Sequence, residues 1–287
     1  MSDEAKLAVF VSSCEEEKRA ALKALFKSFM ECPPATSTEQ LARLLHRLQC
    51  EQAADARGDP HDEPAWERKC GRAILRLAQQ FPGDPGAMAP LFLNYLLIAP
   101  GESFFMAANE PHAYVAGEII EVMACSDNVV RAGLTGKFKD VDHLVSMLTY
   151  SMGGPKIESG VPMGDPAGGG SGGGDRPHIV RYTPPVPEFE VLVCTCPPGQ
   201  ELSLPRLSVP AVLVVTEGSG SCGNFEMSVV EKLKLVMRPG RSYYIPPDCE
   251  PLVLRVSAAQ RGPLVIAITH ENQHLAETTA IGAYVSG

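Results

Sequence analysis

The chain has 287 residues, 45% hydrophobic and 21% charged, enough for two domains whose cores need no disulfide or metal. A formal net charge of -9 excludes a general nucleic-acid binder, because backbone binding needs clustered Lys and Arg, but it leaves room for a local phosphate pocket. No apolar run is long enough to span a bilayer, the start Met1-Ser-Asp-Glu4 lacks a signal peptide's basic opening, and nine scattered cysteines read as reduced thiols of a cytoplasmic protein.

The first hundred residues read as helices. Ser13-x-x-Glu16 is a capping box ahead of an apolar stripe of Leu22, Leu25, Phe26, Phe29 and Met30. A second stripe, Leu41, Leu44, Leu45 and Leu48, follows caps around Thr36 and Ser37. After a charged break at 57–64, a third helix runs from Ala65 to Phe81 with Trp66, Cys70, Ile74 and Leu77 facing inward. Pro82-Gly-Asp-Pro85 ends it, and 87–97 reads as one more short helix. From Pro100 the texture changes to short β-rich runs: 103–107, 119–124, 189–194, 209–216, 252–256 and 264–269. The Gly-rich stretch 163–175 reads as a linker or surface insertion.

One internal echo organises these runs. Pro100-Gly-Glu-Ser-Phe-Phe-Met-Ala-Ala108 matches Pro239-Gly-Arg-Ser-Tyr-Tyr-Ile-Pro-Pro247 in character, position by position. Pro-Gly turns followed by short strands suggest jelly-roll barrels of the cupin kind. The expected fold is mainly β with a helical region: two cupin-like barrels, the first incomplete, plus an α-helical insert. The boundaries fall at 1–98 for the helical region, 99–160 for the remainder of the first barrel, 161–178 for the linker and 179–287 for the second barrel. Where the first copy has His112, the second has Pro251, so a metal-binding histidine is expected in the first barrel alone.

The stretch from Asn109 to Asp140 carries the chemistry. It offers an imidazole at His112, carboxylates at Glu118, Glu121 and Asp127, and cations at Arg131, Lys137 and Lys139. Imidazole suits a zinc-like metal and Arg with Lys suit a phosphate. From these residues alone, a solvated turn between strands competes with a ligand site.

This segment resembles the type I phosphomannose isomerases. The resemblance rests on Gln80-Phe-Pro-Gly-Asp84, Ala89-Pro-Leu-Phe-Leu-Asn94, Pro100-Gly-Glu102, Ala108-Asn-Glu-Pro-His-Ala-Tyr114, Ser126-Asp-Asn-Val-Val-Arg-Ala-Gly-Leu-Thr135 with Lys137 and Lys139-Asp140, and Tyr182-Thr-Pro-Pro185 followed by Glu188-Phe-Glu-Val191. It implies a zinc-dependent aldose–ketose isomerase interconverting mannose 6-phosphate and fructose 6-phosphate, a step toward GDP-mannose, acting as a monomer on a small sugar phosphate. It implies His112 as one metal ligand of several, Arg131 as the catalytic arginine, Lys137 near the sugar phosphate, and Tyr114, Glu121 and Asp127 as pocket wall. Gly136 stands where the family usually has Pro. The family's upstream Gln-x-His pair and Glu ligand have no counterpart here, and His46 and His61 do not replace them. The chain therefore reads as the carboxyl-terminal part of such an enzyme. The competing reading is an inactive fragment or a sugar-phosphate-binding pseudoenzyme lacking the upstream ligands.

Two further motif matches are set aside. His270-Glu-Asn-Gln-His274 fits the HExxH zinc pattern, but it follows a strand-like run near the carboxyl end and reads as a frayed polar tail. Gly218-x-Gly220-x-x-Gly223 fits a dinucleotide fingerprint, but residues 225–236 alternate like a strand, so a β-hairpin turn is expected. Cys194-x-Cys196 has no partner pair and reads as structural.

Overall fold

A computed structural model describes residues 14–57, 65–126, 129–164, 176–224 and 235–275. The chain divides into two compact units. The helical unit holds residues up to 97, 106–118 and 127–155, and the β unit holds 98–105, 119–126 and 156 onward.

In the helical unit, α1 spans Glu15–Met30, α2 spans Pro34–Arg57 and α3 spans Ala65–Gln80. The capping pair of α1 lies one residue later than expected: Cys14 is the N-cap, and its backbone N–H donates to Glu17 Oε2 at 3.1 Å. The stripe on α2 is borne out, with Leu41 and Leu48 buried, and on α3 Cys70, Ala73, Ile74 and Leu77 are buried. Their spacing of three and four places them on one face. The stripe of α1 differs: no residue of α1 is fully buried, and Leu25 is exposed. What α1 contributes is aromatic. Phe26 meets Tyr150 edge-on at 6.2 Å between centroids, and Phe29 lies 4.7 Å from Phe92.

The expected helix at 87–97 is a short 3-10 helix over Pro85–Leu91, with Pro90 inside it. Proline lacks the N–H that an α-turn needs, which explains the tighter, shorter element. A short α4, Val141–Met147, follows Asp140, whose Oδ1 accepts from His143 N at 3.0 Å.

The β unit contains two larger sheets. With β3 Val161–Met163, β4 His178–Tyr182, β5 Glu190–Cys196, β7 Ala211–Glu217, β10 Ser242–Ile245 and β12 Leu264–His270, the six-stranded sheet runs β10-β7-β12-β5-β4-β3. With β6 Glu201–Ser203, β8 Gly220–Asn224, β9 Leu235–Met237 and β11 Leu252–Arg255, the four-stranded sheet runs β6-β11-β8-β9. Leu192, Leu213 and Ile266 from one and Cys222, Met237 and Leu254 from the other share one buried core. A separate pair, β1 Glu102–Phe104 and β2 Ile157–Ser159, is antiparallel.

The expected strands at 103–107, 189–194, 209–216, 252–256 and 264–269 are present with shifted ends. The one at 119–124 is not: those residues are irregular and exposed, with Ile119, Ile120 and Met123 facing solvent. A β-rich run becomes a strand only where a neighbour completes its ladder. No closed barrel forms among the described residues. The internal echo does hold in the backbone. Glu102 N donates to Ala99 O at 3.0 Å and Arg241 N to Arg238 O at 3.1 Å, with Gly101 at φ 85 and Gly240 at φ 78. Each copy is a tight turn with Pro second and Gly third, the left-handed position only Gly fills without strain.

Burial pushes the Cys194 thiol up to about 12 and Cys196 to about 11, the latter aided by the nearby Glu201 charge. A thiol-alkylating reagent at about pH 8, near a free thiol's own pKa, is expected to modify exposed Cys14, Cys50 and Cys125 and leave Cys194 and Cys196 intact until the protein unfolds. Mass spectrometry of the labelled native protein checks this; labelling of Cys194 as fast as Cys14 would contradict it.

Candidate functional site

The segment from 105 to 140 has no helix or strand among its described residues, so side-chain tethers give it shape. The principal tether is Asp84. Its Oδ1 accepts from Gly86 N at 2.7 Å, capping the 3-10 helix, and its Oδ2 accepts from Thr135 N at 3.2 Å, with Lys139 Nζ 4.0 Å away. One carboxylate thus joins the turn after α3 to the Arg131–Asp140 loop.

Glycines make that approach possible. A Cβ on Gly133 would lie 2.8 Å from Gly86 Cα, and one on Gly86 only 2.7 Å from Leu134 N. Leu134 takes φ 54, a costly conformation for a branched residue, while its side chain packs on the cluster of Leu41, Leu77, Ala87 and Met88. Thr135 Oγ1 then accepts from Lys137 N at 3.1 Å, setting the turn that carries Lys137. The loop bearing Arg131 and Lys137 is therefore held near its middle by Asp84 and at its end by Asp140.

Arg131 is half-buried and Lys137 is exposed. His112 is exposed, and its Nδ1 lies 2.9 Å from Glu110 O, so Nδ1 carries the hydrogen and Nε2 is left for a ligand or water. Its ring meets that of Tyr114 at 5.7 Å with a 60° tilt. The Glu110 carboxylate accepts in turn from the Thr149 hydroxyl. His112, Tyr114, Arg131 and Lys137 thus all lie in the helical unit, whereas Glu121 is exposed in the β unit. Asp127 lies outside the described residues.

The sequence reading assigned no role to Asp84, although an Asp two residues before a Gly and one before a Pro is a recognisable cap. The expectation of a frayed polar tail at His270 and His274 does not hold. His270 closes β12 with its side chain buried, and Asn272 is buried, its Nδ2 donating to Pro184 O at 2.9 Å and Val186 O at 2.8 Å. At their centre is Glu190, fully buried. Its carboxylate accepts from His274 Nδ1 at 2.7 Å, Thr183 Oγ1 at 3.2 Å and Gln273 N at 3.4 Å, with His270 Nδ1 at 3.7 Å. This network fastens the segment after β12 to the sheet. The Gly218 turn also differs from expectation. It carries the chain from β7 in one sheet to β8 in the other, and the hairpin is formed by β8 and β9. Of the strand read at 225–236, residues 225–234 lie outside the described part. Among the described residues no group of three or more His, Cys, Asp or Glu is arranged to hold a metal ion.

Comparison with known proteins converges on one family. Residues 1–93 match the helical insertion domain of type I phosphomannose isomerase, and residues 180–221 match its C-terminal domain. Mannose-6-phosphate isomerase 1 of Arabidopsis thaliana is 37% identical over 220 residues, covering 76% of this chain and 46% of that protein. The mannose-6-phosphate isomerase of Schizosaccharomyces pombe is 35% identical over 236 residues, covering 82% of this chain and 54% of that one. The apo crystal structure of mannose 6-phosphate isomerase from Salmonella typhimurium superposes with a TM-score of 0.62 at 27% identity, covering 88% of this chain and 55% of that one. The chain spans about half the length of the curated relatives it matches. It is a relative of the type I phosphomannose isomerases, matching their helical insertion domain over residues 1–93 and their C-terminal domain over residues 180–221.

Proposed function

We propose that the chain acts in the interconversion of mannose 6-phosphate and fructose 6-phosphate, contributing the side chains that hold the sugar phosphate and its developing oxyanion. The observation that carries this reading is the 37% identity over 220 residues with a named mannose-6-phosphate isomerase, within which lies the tethered loop bearing Arg131 and Lys137. The isomerisation moves a proton between adjacent carbons through an enediol. Lys137, exposed on its turn, meets the phosphate end as a mobile cation. Arg131 faces the oxygens on which charge develops, where a planar donor fork stabilises an enediolate. Tyr114 is assigned to the wall of the same pocket, and the roles that the resemblance implies for Glu121, in the other unit, and for Asp127 are not carried into it.

The family resemblance calls for one zinc ion with His112 among its ligands. The donors gathered here do not fit it. His112 offers one nitrogen, and it belongs to no group of three or more His, Cys, Asp or Glu among the described residues, whereas zinc needs three or four protein ligands. No step is therefore routed through a metal. The cupin-like description of the sandwich, the reading of 99–160 as the remainder of a first barrel, and a cytoplasmic monomer belong to the same proposal. No helix among the described residues is long and apolar enough to cross a membrane.

The test is a coupled assay of mannose 6-phosphate conversion with the purified chain and its variants. Lys137→Ala is expected to raise KM about tenfold with kcat little changed, because the phosphate cation binds ground and transition states alike. An unchanged KM would remove Lys137 from the site.

A further inference from the structure

Two pinned turns of the β unit bring Arg238 and Arg261 to one cleft. The first is Arg238-Pro239-Gly240-Arg241, closed by Arg241 N donating to Arg238 O. Gly240 N donates to Val215 O at 2.9 Å and Val215 N to Arg241 O at 2.9 Å, so the turn is stitched to β7 from both sides. The second is the loop into β12. Gln260 Nε2 donates to Gly262 O at 3.0 Å, and Ser219 Oγ donates to Gln260 Oε1 at 2.7 Å. Gly218, at φ 72, is packed so tightly against this loop that a Cβ there would collide with the Pro263 carbonyl oxygen.

Between the turns lies an open cleft of about 490 Å³ with Arg238, Arg261, Ser219, Gln260 and Glu217 on its walls. A second hollow of about 280 Å³ shares Arg238 and adds Arg241. Among the described residues the guanidinium groups of Arg238, Arg241 and Arg261 have no carboxylate partner, while Arg206 and Arg255 elsewhere in the same unit each have one. Arg238 and Arg261 thus share the cleft with one carboxylate, Glu217, and Arg241 lies in the adjoining hollow, in a protein of net charge -9. Guanidinium forks on fixed backbone match the oxygens of a phosphate, and immobilised turns reduce the ordering cost of binding it.

We propose that this cleft binds a small phosphate monoester, its dianionic group held between Arg238 and Arg261 and its organic part lying along Ser219 and Gln260. A polyanionic strand is disfavoured by the overall negative charge, and a neutral ligand leaves both cations without a counter-charge. The site is independent of the isomerase reading, since its residues lie apart in sequence from the Arg131 loop and in the other unit.

The experiment is NMR titration of the 15N-labelled full chain with inorganic phosphate, with ribose 5-phosphate and with ribose, against chloride at matched ionic strength. Both phosphates are expected to shift the amides of Gly218, Ser219 and Gly262 saturably, and ribose and chloride to leave them unmoved. Binding weakens on acidification through about pH 6, as the monoester loses its second charge. Arg238→Ala and Arg261→Ala each weaken binding about tenfold, and the double variant abolishes it. Arg206→Ala, on the same unit, leaves it unchanged. Tighter binding of ribose 5-phosphate than of phosphate identifies an organic ester as the occupant. Equal binding identifies the free ion and overturns the monoester assignment. No saturable shift, an equal response to chloride, or an unchanged response in the double variant overturns the site itself.

Discussion

Asp84→Ala is expected to destabilise the helical unit by roughly 2–3 kcal/mol, the sum of a lost cap and a lost charge-assisted bond across the chain. The carboxylate serves two backbone donors, Gly86 N and Thr135 N, 51 residues from Asp84 to Thr135 in sequence. Alanine leaves both donors without their acceptor and removes the partner of Lys139. Its effect should reach beyond stability. Without the tether, Leu134 has less reason to hold φ 54, and the Arg131–Lys137 loop relaxes. Asp84→Asn keeps an oxygen for one donor and is expected to fall midway. Urea unfolding followed by far-UV circular dichroism, which reads helix, measures the loss. A change below about 0.5 kcal/mol, the range of ordinary surface substitutions, would show that the tether is not what holds this loop.

Glu190→Ala carries the second large effect, roughly 3 kcal/mol against the β unit, because truncating one partner of a buried polar network strands the others. His274 Nδ1, Thr183 Oγ1 and Gln273 N all lose their acceptor at once. Among the described residues His270 Nε2 already has no partner in its buried position, so the site has little slack. Glu190→Gln preserves shape and one acceptor oxygen but turns an NH2 toward a donor, and is expected to cost less than alanine. Thermal unfolding followed by near-UV circular dichroism checks the order. Equal Tm values for Glu190→Ala and the parent chain would mean that the network contributes nothing.

Periodic elements were legible in the sequence where burial is one-sided. The stripes of α2 and α3 mark their buried faces, and alternation marks β5, in which Glu190, Leu192, Cys194 and Cys196 all point inward. That same parity places Glu190 in the core. A carboxylate at an inward position demands partners, and His270 and His274 were the candidates in plain view. On their own segment they read as a polar tail, because their partner lies in the adjacent strand. The failure at 119–124 has another cause: strand propensity states what a residue fits, and pairing depends on a neighbour that sequence alone does not locate. In the candidate site, the residue types of the Asn109–Asp140 motif were legible, and so was their likeness to a family. The tether was not, since Asp84 reaches its loop through a contact of long sequence separation. The placement of Glu121 in the other unit was equally invisible, because no break in composition marks the step from Glu118 to Ile119 at which the chain changes unit.

Conversion of mannose 6-phosphate to fructose 6-phosphate by the purified chain, followed by 13C NMR, bears most directly on the proposed function. The chain is expected to convert the sugar phosphate, and Arg131→Ala to slow that conversion at least about a hundredfold while the fold is kept. No conversion by the parent chain, or an Arg131→Ala variant as fast as the parent, would contradict it.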